Sequence, residues 1–249
     1  MIERHPVVFL HGLWLHASSW GRWVELFAAH GYTAVAPGWP GDELTVRATR
    51  GRSGALPGLG IGEISEHYAR IAGGFPARPV LIGHGLGGLL ALTLAAETHA
   101  AGVIAIDTVP VSAMPPTREP LTGLGAATLS RDEFRVVYGS ALSRGESDRL
   151  YERWAIPAPQ WALREAVRPD TLVSRPGAHT TNSSPGPVLL MASGKSRRRG
   201  AAQYPSAEAC PLIGTDMVVF HDRGPSLVID SGWRLVAESC LSWMDAQEL

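Results

Sequence analysis

Cysteine is scarce in this chain: Cys210 and Cys240 are the only two in 249 residues. So few thiols cannot staple a fold of this size, which must rest on a buried core, and a reducing compartment is expected. Charge of one sign is lacking as well. Lys and Arg total 22 against 23 Asp and Glu, so the balance calls for neither nucleic acid nor an anionic membrane as partner. Long apolar runs are missing, since Pro, Gly or a charge interrupts each one before the roughly 20 residues that span a bilayer. The start, Met1 to Pro6, has no signal-peptide core. No internal repeat is present. These absences leave a soluble, cytoplasmic protein whose expected partner is a small molecule.

What is there is an alternation of short apolar runs with longer helical patterns, the sequence form of a parallel sheet covered on both faces. Strands are expected over Pro6–Leu10, Tyr32–Ala36, Pro79–Ile82, Gly102–Ile106, Pro187–Ala192 and Asp216–Phe220. Helices are expected from a cap at Ser18 or Ser19 to His30, then over Gly62–Gly73, Leu86–His99 and Asp230–Ala246. Between Pro110 and Pro187 the rhythm breaks. Ser130-Arg131-Asp132-Glu133 reads as a helix start, with apolar spacing through Phe134, Val137, Leu142, Leu150 and Trp154. We expect a helical cap over 111–186, with the core formed by 1–110 and 187–249.

Four motifs stand at strand ends: His11-Gly12-Leu13-Trp14, Pro37-Gly38-Trp39-Pro40-Gly41-Asp42, Gly83-His84-Gly85-Leu86-Gly87 and Asp222-Arg223-Gly224-Pro225-Ser226-Leu227. Together they resemble the α/β-hydrolase family over nearly the whole length. The resemblance implies an α/β-hydrolase fold with a cap inserted after the strand ending near Asp107. The N-terminal hairpin of many relatives has no counterpart, which leaves a sheet edge open to pairing in a possible homodimer.

The departures from that family define the chemistry. Gly85 stands where the family places its serine nucleophile in a G-x-S-x-G turn, so the turn is spelled without its reacting atom. Pro225 occupies the place of the histidine base, and its ring can neither take nor give a proton. In place of the family's acid loop the chain reads Ser193-Gly194-Lys195-Ser196-Arg197-Arg198-Arg199, with Arg197 at the carboxylate position. A Ser-His-Asp relay is therefore missing in all three parts. The backbone half is expected to survive, with amides of Leu86 and of Leu13 or Trp14 converging on an oxyanion.

Several side chains are candidates for the vacated roles. Asp107 and His16 are the acid-base candidates, at the corner that holds the catalytic carboxylate in some relatives and beside the oxyanion loop. Gly85, Trp39, Trp154, Trp161 and His221 are expected to line a pocket for a flat, apolar ligand. His11, Asp42 and Ser226 read as braces and caps, His84 as a support behind the elbow, and Lys195–Arg199 as a solvated run with an anion-binding alternative.

The functional expectation is a non-hydrolytic, cofactor-independent and metal-free lyase, isomerase or cyclase. Its substrate would be a carbonyl-containing, polycyclic or polyketide-like natural-product intermediate, a suggestion that rests on Ala, Arg, Gly and Pro richness of the kind seen in high-GC actinobacteria. A noncatalytic ligand-binding protein is the main alternative, and a hydrolase with relocated groups a lesser one. Gly83, Gly85 and Gly88 also spell G-x-G-x-x-G with Asp107 downstream, so a dinucleotide-binding unit is a further alternative.

Overall fold

The computed structural model describes residues 4–52, 59–108, 126–167, 186–195 and 215–249. Six strands form one sheet: β1 (Val7–Leu10), β2 (Ala34–Val35), β3 (Val80–His84), β4 (Gly102–Ile106), β7 (Val188–Ser193) and β8 (Thr215–Phe220). Their order is β2-β1-β3-β4-β7-β8, and every pairing is parallel. The central strands β1, β3, β4 and β7 are buried throughout. This is why they read as continuous apolar runs rather than alternating ones.

Helices cover both faces. They are α1 (Gly21–Ala29), α2 (Val46–Gly51), α3 (Ile61–Gly73), α4 (Leu86–Glu97) and, at the end of the chain, α8 (Trp233–Ala246). Phe9 on β1 stacks on Trp20 at 4.9 Å and meets Phe27 edge-on at 5.2 Å, which locks α1 onto the sheet. Trp23 adds a tie to the C-terminal region, its indole N–H donating to the Val228 carbonyl at 2.9 Å. Leu86–Glu97 is apolar nearly all round, as suits a helix packed against both β3 and β4.

Between β4 and β7 the chain forms β5 (Ala126–Ala127), α5 (Arg131–Val137), α6 (Arg144–Trp154), β6 (Ala158–Pro159) and α7 (Gln160–Val167). Ser130 and Glu133 form the expected capping box at α5. The apolar spacing read as one pattern is split into two helices, with Ser143 accepting from the Glu146 amide to cap the second. Other boundaries also move. The helical region after β1 is capped by His16 rather than by Ser18 or Ser19, because its imidazole accepts from the Ser18 amide. The final helix starts at Trp233, three residues later than expected, since Asp230 is bound into the preceding turn by the Gly232 amide at 2.9 Å.

Candidate active site

The carboxyl ends of β1, β3 and β4 build the site. At the end of β3 the chain turns into α4 through Gly85, whose φ of 56° and ψ of −118° place it in a region that side-chain-bearing residues adopt only under strain. The turn is a strand-to-helix elbow. Gly85 donates its amide to the Ile106 carbonyl at 2.9 Å and accepts from Gly88 at 3.2 Å, so the elbow is pinned on both sides. Its glycines divide into two kinds. A Cβ at Gly83 would stand 2.1 Å from the Gly87 carbonyl oxygen, and one at Gly87 would stand 2.2 Å from that of Leu10. At Gly85 it would meet nothing within 4 Å among the described residues. A side chain at Gly85 is thus opposed by its φ and not by these neighbours.

The same packing brings the His11-Gly12 loop against the elbow. A Cβ on Gly12 would lie 2.9 Å from the His84 carbonyl oxygen, and one on Gly87 would lie 2.7 Å from that of His11. Backbone meets backbone here. Leu86, opening α4, carries a first-turn N–H with no intrahelical acceptor. On the facing loop the carbonyls are held elsewhere: Gly12 accepts from the Leu15 amide at 3.4 Å, Leu13 from the Tyr138 hydroxyl and Trp14 from the Ile156 amide at 3.0 Å. Because carbonyl and amide of a trans peptide point in opposite directions, each such bond sets the direction of the next N–H. Trp14 sits at φ 59°, unusual for a bulky residue. Two bonds to the β4–β7 excursion hold it there, one through its carbonyl and one from its indole N–H to Ala127 at 3.0 Å.

Of the three positions that the sequence resemblance matches to the family's relay, Gly85 and Pro225 are among the described residues and Arg197 lies outside them. Pro225 is buried, and its carbonyl is 2.9 Å from His84 Nε2. The His84 ring reaches behind the elbow to the segment that would carry the base. Ser226 donates to Asp230 at 2.8 Å, and Asp230 also pairs with Arg223. Burial nevertheless holds the Asp230 carboxyl above the usual range. This turn is a closed structural unit.

The acid-base candidates fare differently. His16 is buried with both ring nitrogens used: Nδ1 accepts from the Ser18 amide at 3.1 Å, which fixes the proton on Nε2, 2.9 Å from the Glu43 carbonyl. Nδ1 also lies 2.6 Å from the Ser18 hydroxyl, so both ring nitrogens are engaged with the helix start and with Glu43, the pattern of a brace. Asp107 is also buried, at φ 47°, and Oδ1 accepts from the Ser193 amide at 3.1 Å and hydroxyl at 2.7 Å. It directly follows Ile106, the residue bonded to the Gly85 amide. Asp107 is therefore beside the elbow, whereas His16 belongs to a helix start.

The aromatic candidates do not form one wall. Trp39 is buried and stacks on His11 at 4.6 Å, while the Asp42 carboxylate accepts from the Trp39 amide at 3.0 Å and lies 3.4 Å from His11 Nε2. Beneath them the buried Tyr68 hydroxyl donates to the Pro37 carbonyl, and burial pushes its pKa up. Trp154 is buried too, and its carbonyl accepts from the His16 amide at 3.0 Å. Trp161 is 41% exposed, donates to Glu165 on its own helix and lies with its ring edge against Gly60. His221 is exposed at the end of β8, where a Cβ on Gly194 would touch its backbone. Lys195 is held through its amide by the Arg223 carbonyl, and 196–199 lie outside the described residues.

Two contacts escaped the sequence reading: Tyr138 to Leu13, and Arg50, which donates to the carbonyls of Ala155, Tyr151 and Glu152 at the end of α6. A groove of about 450 Å³ also opens on the excursion, lined by Arg131, Asp148, Arg149, Glu152 and Arg153. It contains no elbow residue. Among the described residues no cluster of His, Cys, Asp and Glu could hold a metal ion, and no helix is long and apolar enough to cross a membrane.

An elbow at the end of β3, the His11-Gly12 loop after β1 and the parallel sheet order define the class as an α/β-hydrolase fold. The chain belongs to the alpha/beta hydrolase family, whose pattern it matches over residues 7–238. The dinucleotide alternative is not needed, because Gly83 and Gly88 are both demanded by packing, the latter against Thr108. No curated protein sequence matches the chain. Among solved structures, a methylesterase from Arabidopsis is similar at 16% identity and TM-score 0.68, over 96% of this chain and 98% of that one. Tomato methylketone synthase I, complexed with 2-tridecanone, is similar at 11% identity and TM-score 0.68, over 98% and 99%; a variant of it is complexed with β-ketoheptanoate. A monoacylglycerol lipase from Paleococcus ferrophilus is similar at 17% identity and TM-score 0.66, over 98% and 95%.

Proposed function

We propose that this protein is a non-hydrolytic, cofactor-independent enzyme that acts on a carbonyl compound by stabilising an oxyanion with backbone amides. The observation that supports this reading is the elbow itself: Gly85 keeps its positive φ, and among the described residues nothing lies within 4 Å of where a Cβ would stand. A site of this kind performs no acyl transfer, for want of a nucleophile and a base. It suits reactions that pass through an enolate, such as elimination, isomerisation or cyclisation, where donors fixed around the developing charge lower the barrier.

Backbone donors of Leu86 and of Leu13 or Trp14 would bind the carbonyl oxygen. The β4–β7 excursion would serve as the cap over the substrate, and Asp107, next to the elbow, would be the carboxylate that moves a proton. A β-dicarbonyl compound of polyketide-like spacing is the favoured substrate class, since its enolate is readily formed; the ketone and β-keto acid bound by the tomato synthase fit that choice.

The test is incubation with β-ketoheptanoate and related β-keto compounds, following substrate loss and product by mass spectrometry. We expect turnover that Gly85→Val abolishes by filling the elbow and that Asp107→Asn slows at least about tenfold while binding persists. An unchanged rate in Asp107→Asn removes that residue from the mechanism. Saturable binding with no product at any pH would instead establish the ligand-binding alternative.

A further inference from the structure

We infer that Tyr138, on the β4–β7 excursion, is a positioning residue for the backbone oxyanion site, a role that rests on the functional reading above. Tyr138 follows α5 and is buried, and its hydroxyl donates to the Leu13 carbonyl at 2.5 Å across 125 residues of sequence. Leu13 and Trp14 share a trans peptide, so anchoring that carbonyl turns the Trp14 N–H to the opposite side. The same loop packs against the elbow through Gly12 and the His84 carbonyl. A rotation of this peptide would therefore displace the Trp14 donor assigned to the oxyanion site.

The loop needs such an anchor. Trp14 occupies a left-handed conformation that its bulky side chain disfavours, so the peptide on its N-terminal side has little intrinsic reason to stay put. The carbonyl after Trp14 is held by Ile156 and the indole by Ala127, but neither bond fixes the Leu13–Trp14 peptide plane. Tyr138 holds it from the carbonyl side. The phenol ring is braced in turn, with Phe134 at 4.9 Å and His84 at 6.0 Å between ring centroids. Tyr138 thus links the excursion, the oxyanion loop and the residue preceding the elbow, without itself being a catalytic residue.

An introduced thiol reads out the site without the natural substrate. In a Cys210→Ala background, Gly85→Cys places a sulfur at the open elbow, and two reagents interrogate it. Acylation by p-nitrophenyl acetate passes through a tetrahedral oxyanion, whereas alkylation by iodoacetamide does not. Adding Tyr138→Phe is expected to slow acylation about tenfold and to leave alkylation unchanged. Equal rates for both reagents with and without the hydroxyl overturn the inference, as does an equal loss in both, which would report access to the thiol alone.

Tyr151→Phe, which removes a hydroxyl bond to the Leu129 carbonyl on the same excursion, serves as a control for general loosening. A loss of acylation matching that of Tyr138→Phe would also overturn the assignment. Hydrogen exchange provides a second readout in the natural sequence: Tyr138→Phe should speed exchange of the Trp14 amide, and an unchanged rate counts against the role. If Gly85→Cys shows no accelerated acylation even with Tyr138 present, the oxyanion reading itself fails. If acceleration is present and indifferent to Tyr138, only the positioning role fails.

Discussion

Gly83 and Gly87 on one side, and Gly85 between them, are the same residue type within five positions, yet the structure needs them for different reasons. The outer pair is fixed by contact, since any Cβ there would strike the backbone of α4 or of β1. Among the described residues nothing lies within 4 Å of a Cβ at Gly85, and only its positive φ favours glycine. The fold therefore still demands the glycines that let β1, β3 and α4 approach, while nothing in the described packing forbids a side chain at Gly85. A parallel contrast separates the loops that carry backbone donors, which are anchored, from Pro225, whose side chain cannot move a proton.

That contrast breaks most visibly in stability. Gly87→Ala should lose about 3 kcal/mol or more, because a carbonyl 2.2 Å from the new methyl cannot be relieved by a rotamer change. Chemical denaturation would measure it, and a loss below about 1 kcal/mol would show that α4 can move away from β1. Arg50→Ala should cost about 2 kcal/mol by releasing three carbonyls at the end of α6, seen as a lower denaturation midpoint. Gly85→Ser should lose only about 1 kcal/mol, the strain of a side chain at that φ, and should gain no sustained esterase turnover. Continued hydrolysis of a p-nitrophenyl ester by that variant would mean that a base survives near Pro225.

The smallest effect belongs to the core. Burial holds the Cys240 thiol well above its usual 9.0. Native Cys240 should therefore resist alkylation at pH 8, and peptide mapping should find it modified only after unfolding. The folded state keeps its proton longer than the unfolded chain does, so this contribution to stability is complete below the unfolded value and declines as pH rises above it. Rapid alkylation of native protein would show that the packing around Cys240 opens readily.

Local signals made much of this molecule legible. Apolar runs marked all six strands to within a few residues, although β2 shrank to Ala34–Val35, and Ser130 with Glu133 announced α5. The elbow was readable because its glycines carry steric demands that repeat at fixed spacing. The bracing of His16 was not legible, because its position near the His11-Gly12 loop says nothing of its partners, Ser18 and Glu43, which engage both nitrogens. The partners of Trp161 were hidden similarly, since helical spacing does not reveal its bond to Glu165 or its contact with Gly60. Tyr138 and Arg50 were invisible for a different reason: their acceptors are backbone carbonyls more than a hundred residues away, and a carbonyl has no residue identity to read.

The most direct test of a surviving backbone oxyanion site is the Gly85→Cys, Cys210→Ala variant treated with p-nitrophenyl acetate. The account predicts release of one equivalent of p-nitrophenolate, about ten- to a hundredfold faster than from a free thiol of equal thiolate fraction, followed by a plateau because no histidine drives deacylation. A rate no faster than the free thiol would contradict the oxyanion site, and release that continues past one equivalent would contradict the loss of the relay.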